Sequence, residues 1–262
     1  MWKRFDPARP LAVIVGAVVA GIVAGLLASV LLTFTAEPVI DRAIALEESH
    51  HAADEPKAAV EPEIVSRAQQ KGFGRFAAYG LGGGAYGVLF GIAFLALGRR
   101  DDAFRRALRA GAFMAGAFTV MPFIKYPPNP PGVGDPATLA GRQWKYVALI
   151  FLSLVVLAGA ARLSSRLRQR GWLDADRLVA VGLAAVVPLG IVCALLPPFS
   201  DAIDVPANLL WRFRIASLGG NLLLWSVLTV GFGAAAVRRE RALTGPVSEV
   251  TAGAAFRPAT TS

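Results

Sequence analysis

The sequence predicts an all-α integral membrane protein, a bundle of six transmembrane helices with both termini on the cytoplasmic side. Three observations carry that expectation. Of 262 residues, 55% are hydrophobic and only 17% charged, whereas a soluble domain is about a quarter charged; mean hydropathy is +0.53. The apolar residues gather in six blocks that contain no charged side chain, and a backbone crosses lipid only where its hydrogen bonds close internally, most simply as a helix of about 20 residues. The connections also alternate in charge. The N-terminus, the segment from Gly98 to Arg109, that from Arg162 to Arg177 and the C-terminal tail hold seventeen of the 27 basic residues, while the three opposite connections hold eleven of the 18 acids. Basic connections stay in the cytoplasm. The net charge of +9, which in a soluble protein would raise nucleic acid as a partner, is accounted for by this bias, so the partner is the lipid bilayer.

The blocks run from Leu11 to Phe34, Phe76 to Gly98, Ala110 to Ile124, Tyr146 to Ala161, Leu178 to Leu196 and Ile215 to Val237. The first follows Lys3, Arg4 and Arg9 as a signal peptide would, but it is too long for a cleavable apolar region of about 7–15 residues and is read as a retained helix. The third and fourth are short. Flanking residues such as Arg109 and Lys145, whose charges snorkel, extend them to about 108–124 and 144–161. Pro122 and Pro188, near the far ends of the third and fifth blocks, are expected to kink them. Gly21 and Gly25, Gly80 and Gly84, Gly83 and Gly87, and Gly87 and Gly91 are each four apart, a spacing that lets helix backbones touch; a packed bundle is the preferred reading over a Gly-lined conduit. The chain is thus one polytopic membrane domain, 1–241, with an outer acidic loop at 35–75, followed by a tail at 242–262 whose Thr, Ala, Gly and Pro predict disorder.

Two outer connections match at an offset of seventy residues. Pro127 and Pro128 pair with Pro197 and Pro198, Pro136 and Ala137 with Pro206 and Ala207, Leu139 with Leu209, and Arg142 with Arg212. Each reads as a double Pro that stops one helix, a loop, and a helix start, with Asp135 and Asp204 placed to cap. Helices 3–4 and 5–6 are therefore expected to be parallel copies of one hairpin, an arrangement found in transporters with the substrate path at the repeat interface.

Little in the chain suggests an enzyme. No P-loop, Gly-x-Ser-x-Gly elbow or His-Glu-x-x-His pair is present, and the single Cys193 offers neither a disulfide nor a Cys-based metal motif. The first outer connection is the richest in chemistry. It gathers Glu37, Asp41, Glu47, Glu48, His50, His51 and Asp54, including both histidines of the chain. If Ile44 to Ala53 is helical, Glu47, His50, His51 and Asp54 converge within two turns. Imidazole with carboxylate suits a borderline divalent cation such as Co²⁺, Ni²⁺ or Zn²⁺; the competing reading is a solvated acidic loop with an incidental His pair. No carboxylate, His or Lys lies in a marked span, which leaves Met114 and Met121, seven apart on one helix face, and Asn221 as intramembrane candidates for a pore or gate. Asn129, Arg142, Gln143 and Arg212 are the candidates at its outer mouth. A Met pair at helical spacing reads first as packing, and Asn221 as an interhelical hydrogen bond.

The order of features resembles the CbtA family, a predicted cobalt transporter subunit. The resemblance rests on Thr35-Ala36-Glu37-Pro38 with Ala45-Leu46-Glu47-Glu48, on Tyr126-Pro127-Pro128-Asn129-Pro130-Pro131-Gly132 running to Leu139 and Arg142-Gln143-Trp144, and on Val205-Pro206-Ala207 with Phe213, Ser217 and Trp225. It implies uptake of cobalt for cobalamin synthesis across a bacterial inner membrane, with Co²⁺ as cargo rather than a resident cofactor, beside a small single-span, His-rich subunit, CbtB. The alternative is a non-transporting membrane scaffold for such a His-rich metal-binding partner.

Overall fold

In the computed structural model the described residues are 8–54, 70–97, 102–131, 133, 136–199, 203 and 205–243. Among them there is no strand, and six helices are long and apolar enough to cross a membrane. The expected cytoplasmic tail falls almost wholly outside them, as do Asp135 and Asp204.

Helix α1 (Ala8–Thr35) spans 28 residues, about 42 Å at the helical rise and enough for a bilayer core of about 30 Å. Its last turn is closed by Thr33 and Thr35, whose hydroxyls donate back to the carbonyls of Ser29 and Leu31 at 2.9 and 3.0 Å. The chain turns at Ala36 into α2 (Glu37–Asp54), which makes much of the acidic loop a helix. A kinked segment, Gln70–Gly74, in which Gly72 leaves the helical region (φ −84°, ψ −119°), leads into α3 (Arg75–Ala96).

The short third block becomes α4 (Ala103–Lys125). Asp102 caps it by accepting the backbone N–H of Arg105 at 2.9 Å. Within α4 the segment Gly116–Val120 is π-helical. Pro122 explains it: the ring has no N–H to give and crowds the carbonyl one turn earlier, and a wider turn relieves both. That turn corrects the expectation of a Met114–Met121 face. The extra residue shifts the register, so Met114 packs with Phe90, Phe94 and Trp225, while Met121 packs with Tyr126 and Leu149.

Helix α5 (Leu139–Gln169) outruns the fourth block at both ends. It stops in a Schellman turn, where Gly171 takes φ 76°, its N–H meets the carbonyl of Arg168 at 3.1 Å, and the N–H of Trp172 meets that of Leu167 at 3.2 Å. Helix α6 (Asp174–Leu195) opens with Asp174 and Asp176 against the positive helix end and continues through Pro188. Helix α7 (Ala207–Leu243) is the longest at 37 residues.

The core lies between α1, α3, α4 and α7. Along α1 and α3 the glycines interlock: a β-carbon on Gly83 would strike the carbonyl of Gly21, and one on Gly87 the carbonyl of Ala17. Gly80, Gly83, Gly84, Gly87 and Gly91 of α3 are thus covered by α1, as a packed bundle requires, and line no conduit there. Gly111 lets α4 approach Thr229 of α7 in the same way. Next to these contacts lie Tyr86, Phe118 and Trp225, and the indole N–H of Trp225 donates to the Thr119 hydroxyl at 3.0 Å inside the bundle. Helix α6 has no buried residue and packs on α5. Its exposed Leu178, Leu183, Val186 and Ile191 are lipid-facing in a membrane.

Candidate functional site

Six alternating spans bring three connections to one end of the bundle: the one holding α2, the one between α4 and α5, and the one between α6 and α7. The second and third start alike. A residue before proline is driven out of the helical region, and both Tyr126 (φ −132°, ψ 67°) and Leu196 (φ −71°, ψ 128°) leave the helix there. Each still closes the last turn through its own N–H, Tyr126 to the carbonyl of Pro122 at 2.7 Å and Leu196 to that of Val192 at 3.0 Å. These two bonds stand at the same seventy-residue offset as the prolines.

The two Pro-Pro turns are then held crosswise. Arg214 of α7 donates through Nε to the carbonyl of Pro128 at 3.3 Å and through a terminal nitrogen to Oδ1 of Asn129 at 3.0 Å. Lys145 of α5 donates to the carbonyl of Pro198 at 3.2 Å. Thus the helix following each turn grips the other turn. Between them the Tyr126 ring stacks on Phe199, centroids 4.3 Å apart, and its hydroxyl donates to the carbonyl of Pro197 at 2.8 Å. Burial, and secondarily the nearby Cys193 thiol, pushes the Tyr126 phenol above its usual pKa of 10.0, which keeps the donor protonated. Met121 and Leu149 close the cluster from below.

On the other flank, Glu37 opens α2, where its charge suits the helix N-terminus. Its carboxylate also pairs with Arg75 at 3.0 Å, with only 11% and 15% of the two side chains exposed. Helix α2 leans toward the start of α7, and a cleft of about 560 Å³ lies between them, edged by Arg42 and Arg212.

The predicted site residues separate accordingly. Of the metal candidates, Glu37 is bound to Arg75 and Asp41 lies exposed four residues along the same helix. Glu47, Glu48, His50, His51 and Asp54 sit on the helical backbone of α2, but their side chains lie outside the described residues. Among the described residues, no three of His, Cys, Asp and Glu come together as a metal shell. Of the pore candidates, Asn129 joins the crosswise clasp. Arg142 is half-buried and Gln143 exposed on the first turn of α5, Arg212 borders the cleft, and Met114 and Met121 are in separate clusters. Asn221 does not reach another helix through its amide nitrogen, which donates back to the carbonyl of Ser217 at 2.9 Å. The residues that the sequence pattern missed are Tyr126, Lys145, Phe199 and Arg214. Their signal was their position, an aromatic or a cation beside each double proline or on the helix after it.

Comparison with known proteins places the chain in a family. The model of a family described as probable cobalt transporter subunit (CbtA) matches residues 11–237. No curated protein and no solved structure matches.

Proposed function

Because the chain belongs to the CbtA family of probable cobalt transporter subunits, we propose that it is the membrane subunit through which Co²⁺ enters the cell. Both termini lie in the cytoplasm of a bacterial inner-membrane protein, and the end that carries α2 faces out, in keeping with the Lys and Arg bias of the opposite connections. Helices α4–α5 and α6–α7 act as two copies of one hairpin, with the cargo path between them. The observation that carries this reading is the crosswise clasp: Arg214 on the Pro128 turn and Lys145 on the Pro198 turn join the outer ends of both hairpins as a gate would.

In this reading the carboxylates and imidazoles of α2, from Asp41 through Glu47, Glu48, His50 and His51 to Asp54, concentrate the ion and replace part of its hydration shell. Glu37 joins them only when its pair with Arg75 opens. Passage inward follows the membrane potential, worth about 2.3 kcal/mol per charge per 100 mV, or is driven by a partner such as the small His-rich CbtB.

Cobalt accumulation at limiting concentration tests the capture step. Replacing Glu47, Glu48, His50 and His51 together by Ala is expected to lower uptake about tenfold at low metal and little at high metal. Unchanged uptake removes the capture role. Purified protein that admits no labelled Co²⁺ into liposomes yet pulls down a small His-rich membrane protein would favour the scaffold role instead.

A further inference from the structure

The cleft between α2 and the start of α7 has no place in the scheme above. Two guanidiniums face it, Arg42 from α2 and Arg212 from α7, and Asn208 adds an amide. Both arginines are exposed, and neither has a carboxylate partner among the described residues. The nearby Glu37 carboxylate is held by Arg75. The rest of the lining is apolar, with Val39, Leu46 and Leu209 among it. Two exposed cations over an apolar floor suit an anion that brings its own hydrocarbon.

Depth identifies the anion. Arg212 lies three residues before Ile215, where the uninterrupted apolar run of α7 begins, so it stands about 4.5 Å above the hydrocarbon boundary, at headgroup level. Just beside it, Trp211 is 60% exposed and Ile215 44%, and Phe34 at the end of α1 is 75% exposed. An exposed Trp at this level is an interfacial anchor, and the apolar side chains around it offer a surface for acyl chains. Guanidinium meets phosphate through paired N–H donors, which a point-charge ammonium does not reproduce.

We propose that this cleft is a binding site for an anionic phospholipid, its phosphate held between Arg42 and Arg212 and its chains running down the outside of α1 and α7. The bound lipid fastens α2 to the bundle and thereby fixes the acidic helix at the membrane surface. The proposal is independent of the cargo, since it concerns lipid retention and not transport.

Native mass spectrometry of the purified protein, titrated with dioleoyl phosphatidylglycerol or dioleoyl phosphatidylcholine, reads it directly. Phosphatidylglycerol adducts are expected at a concentration at least tenfold lower than phosphatidylcholine adducts. Arg42→Gln with Arg212→Gln abolishes that preference, whereas Arg239→Gln at the opposite end keeps it. Ala45→Trp, which fills the cleft from an exposed position while leaving both cations, abolishes it too. The proposal is overturned by equal retention of the two lipids, by a preference that survives either cleft variant, or by displacement of phosphatidylglycerol with millimolar inorganic phosphate, which would make the site one for a free anion.

Discussion

Arg214 reaches eighty-five residues back along the chain to Asn129, whose side-chain oxygen accepts its guanidinium at 3.0 Å. The same guanidinium holds the carbonyl of Pro128, so one side chain ties the start of α7 to the turn between α4 and α5. Arg214→Ala leaves both acceptors without their donor and is expected to cost about 1–3 kcal/mol. Arg214→Lys, with one point charge in place of a fork, recovers only part of it. Thermal melting in detergent gives the stability, and maleimide labelling of a Cys placed at Val133, in the same turn, tests whether the turn has come loose. If both are unchanged by Arg214→Ala, the clasp is not a joint.

The pair formed by Tyr126 and Pro197 carries a pH signature. Burial raises the folded phenol above its usual 10.0, so the folded state holds this proton more tightly than the unfolded chain does. The contribution is complete below about pH 10 and is lost as pH climbs through the raised value. Tyr126→Phe is expected to cost about 1 kcal/mol at neutral pH and to flatten that alkaline decline. Melting curves taken from neutral to strongly alkaline buffer decide; a wild-type and a Phe variant that fall in parallel exclude the link.

Glycine spacing on α3 gives a paired test. Gly83→Ala drives a methyl into the backbone of Gly21 and should cost about 1–3 kcal/mol or prevent folding outright. Its neighbour Gly82 meets nothing within 4 Å, so Gly82→Ala should be neutral or slightly stabilising. Size-exclusion profiles of the two variants separate them at once.

Glu37 and Arg75 form an ion pair that is largely shielded from water. Glu37→Gln takes the carboxylate away from Arg75 and Arg75→Gln takes the guanidinium away from Glu37, and each alone should lower stability by about 1–3 kcal/mol. The double variant should lose less than the sum of the two. A cycle of four melting temperatures measures this coupling, and strictly additive losses would show that the two charges act separately.

Much of this architecture could be read before any coordinates. Six charge-free runs predicted the six spans because lipid leaves a backbone no other simple choice, and Gly21, Gly25, Gly83 and Gly87 announced a close helix contact by their spacing. The double prolines marked both turns, since their effect on the preceding residue is local. Contacts between distant segments were less legible. The seventy-residue match drew attention to Arg142 and Arg212, whereas the turn carbonyls are gripped by Lys145 and Arg214, which do not align at that offset. Met114 and Met121 looked like one face because heptad spacing assumes an uninterrupted helix, and the widening before Pro122 breaks that assumption. Nothing in the order of residues announced that Glu37 would meet Arg75 across the intervening chain.

Side chains adjust by rotating, but bare peptide groups have no such freedom. Where α1 and α3 lie backbone against backbone, sliding one along the other would drive a carbonyl into the next Cα, so the two helices form a single stiff keel. Any stroke of the proposed hairpins would have to be made elsewhere, and α6, which has no buried residue and leans on α5, is the span least held by the core. Glycine content has in this way locked α1 to α3 through their backbones and left α6 to side-chain packing alone.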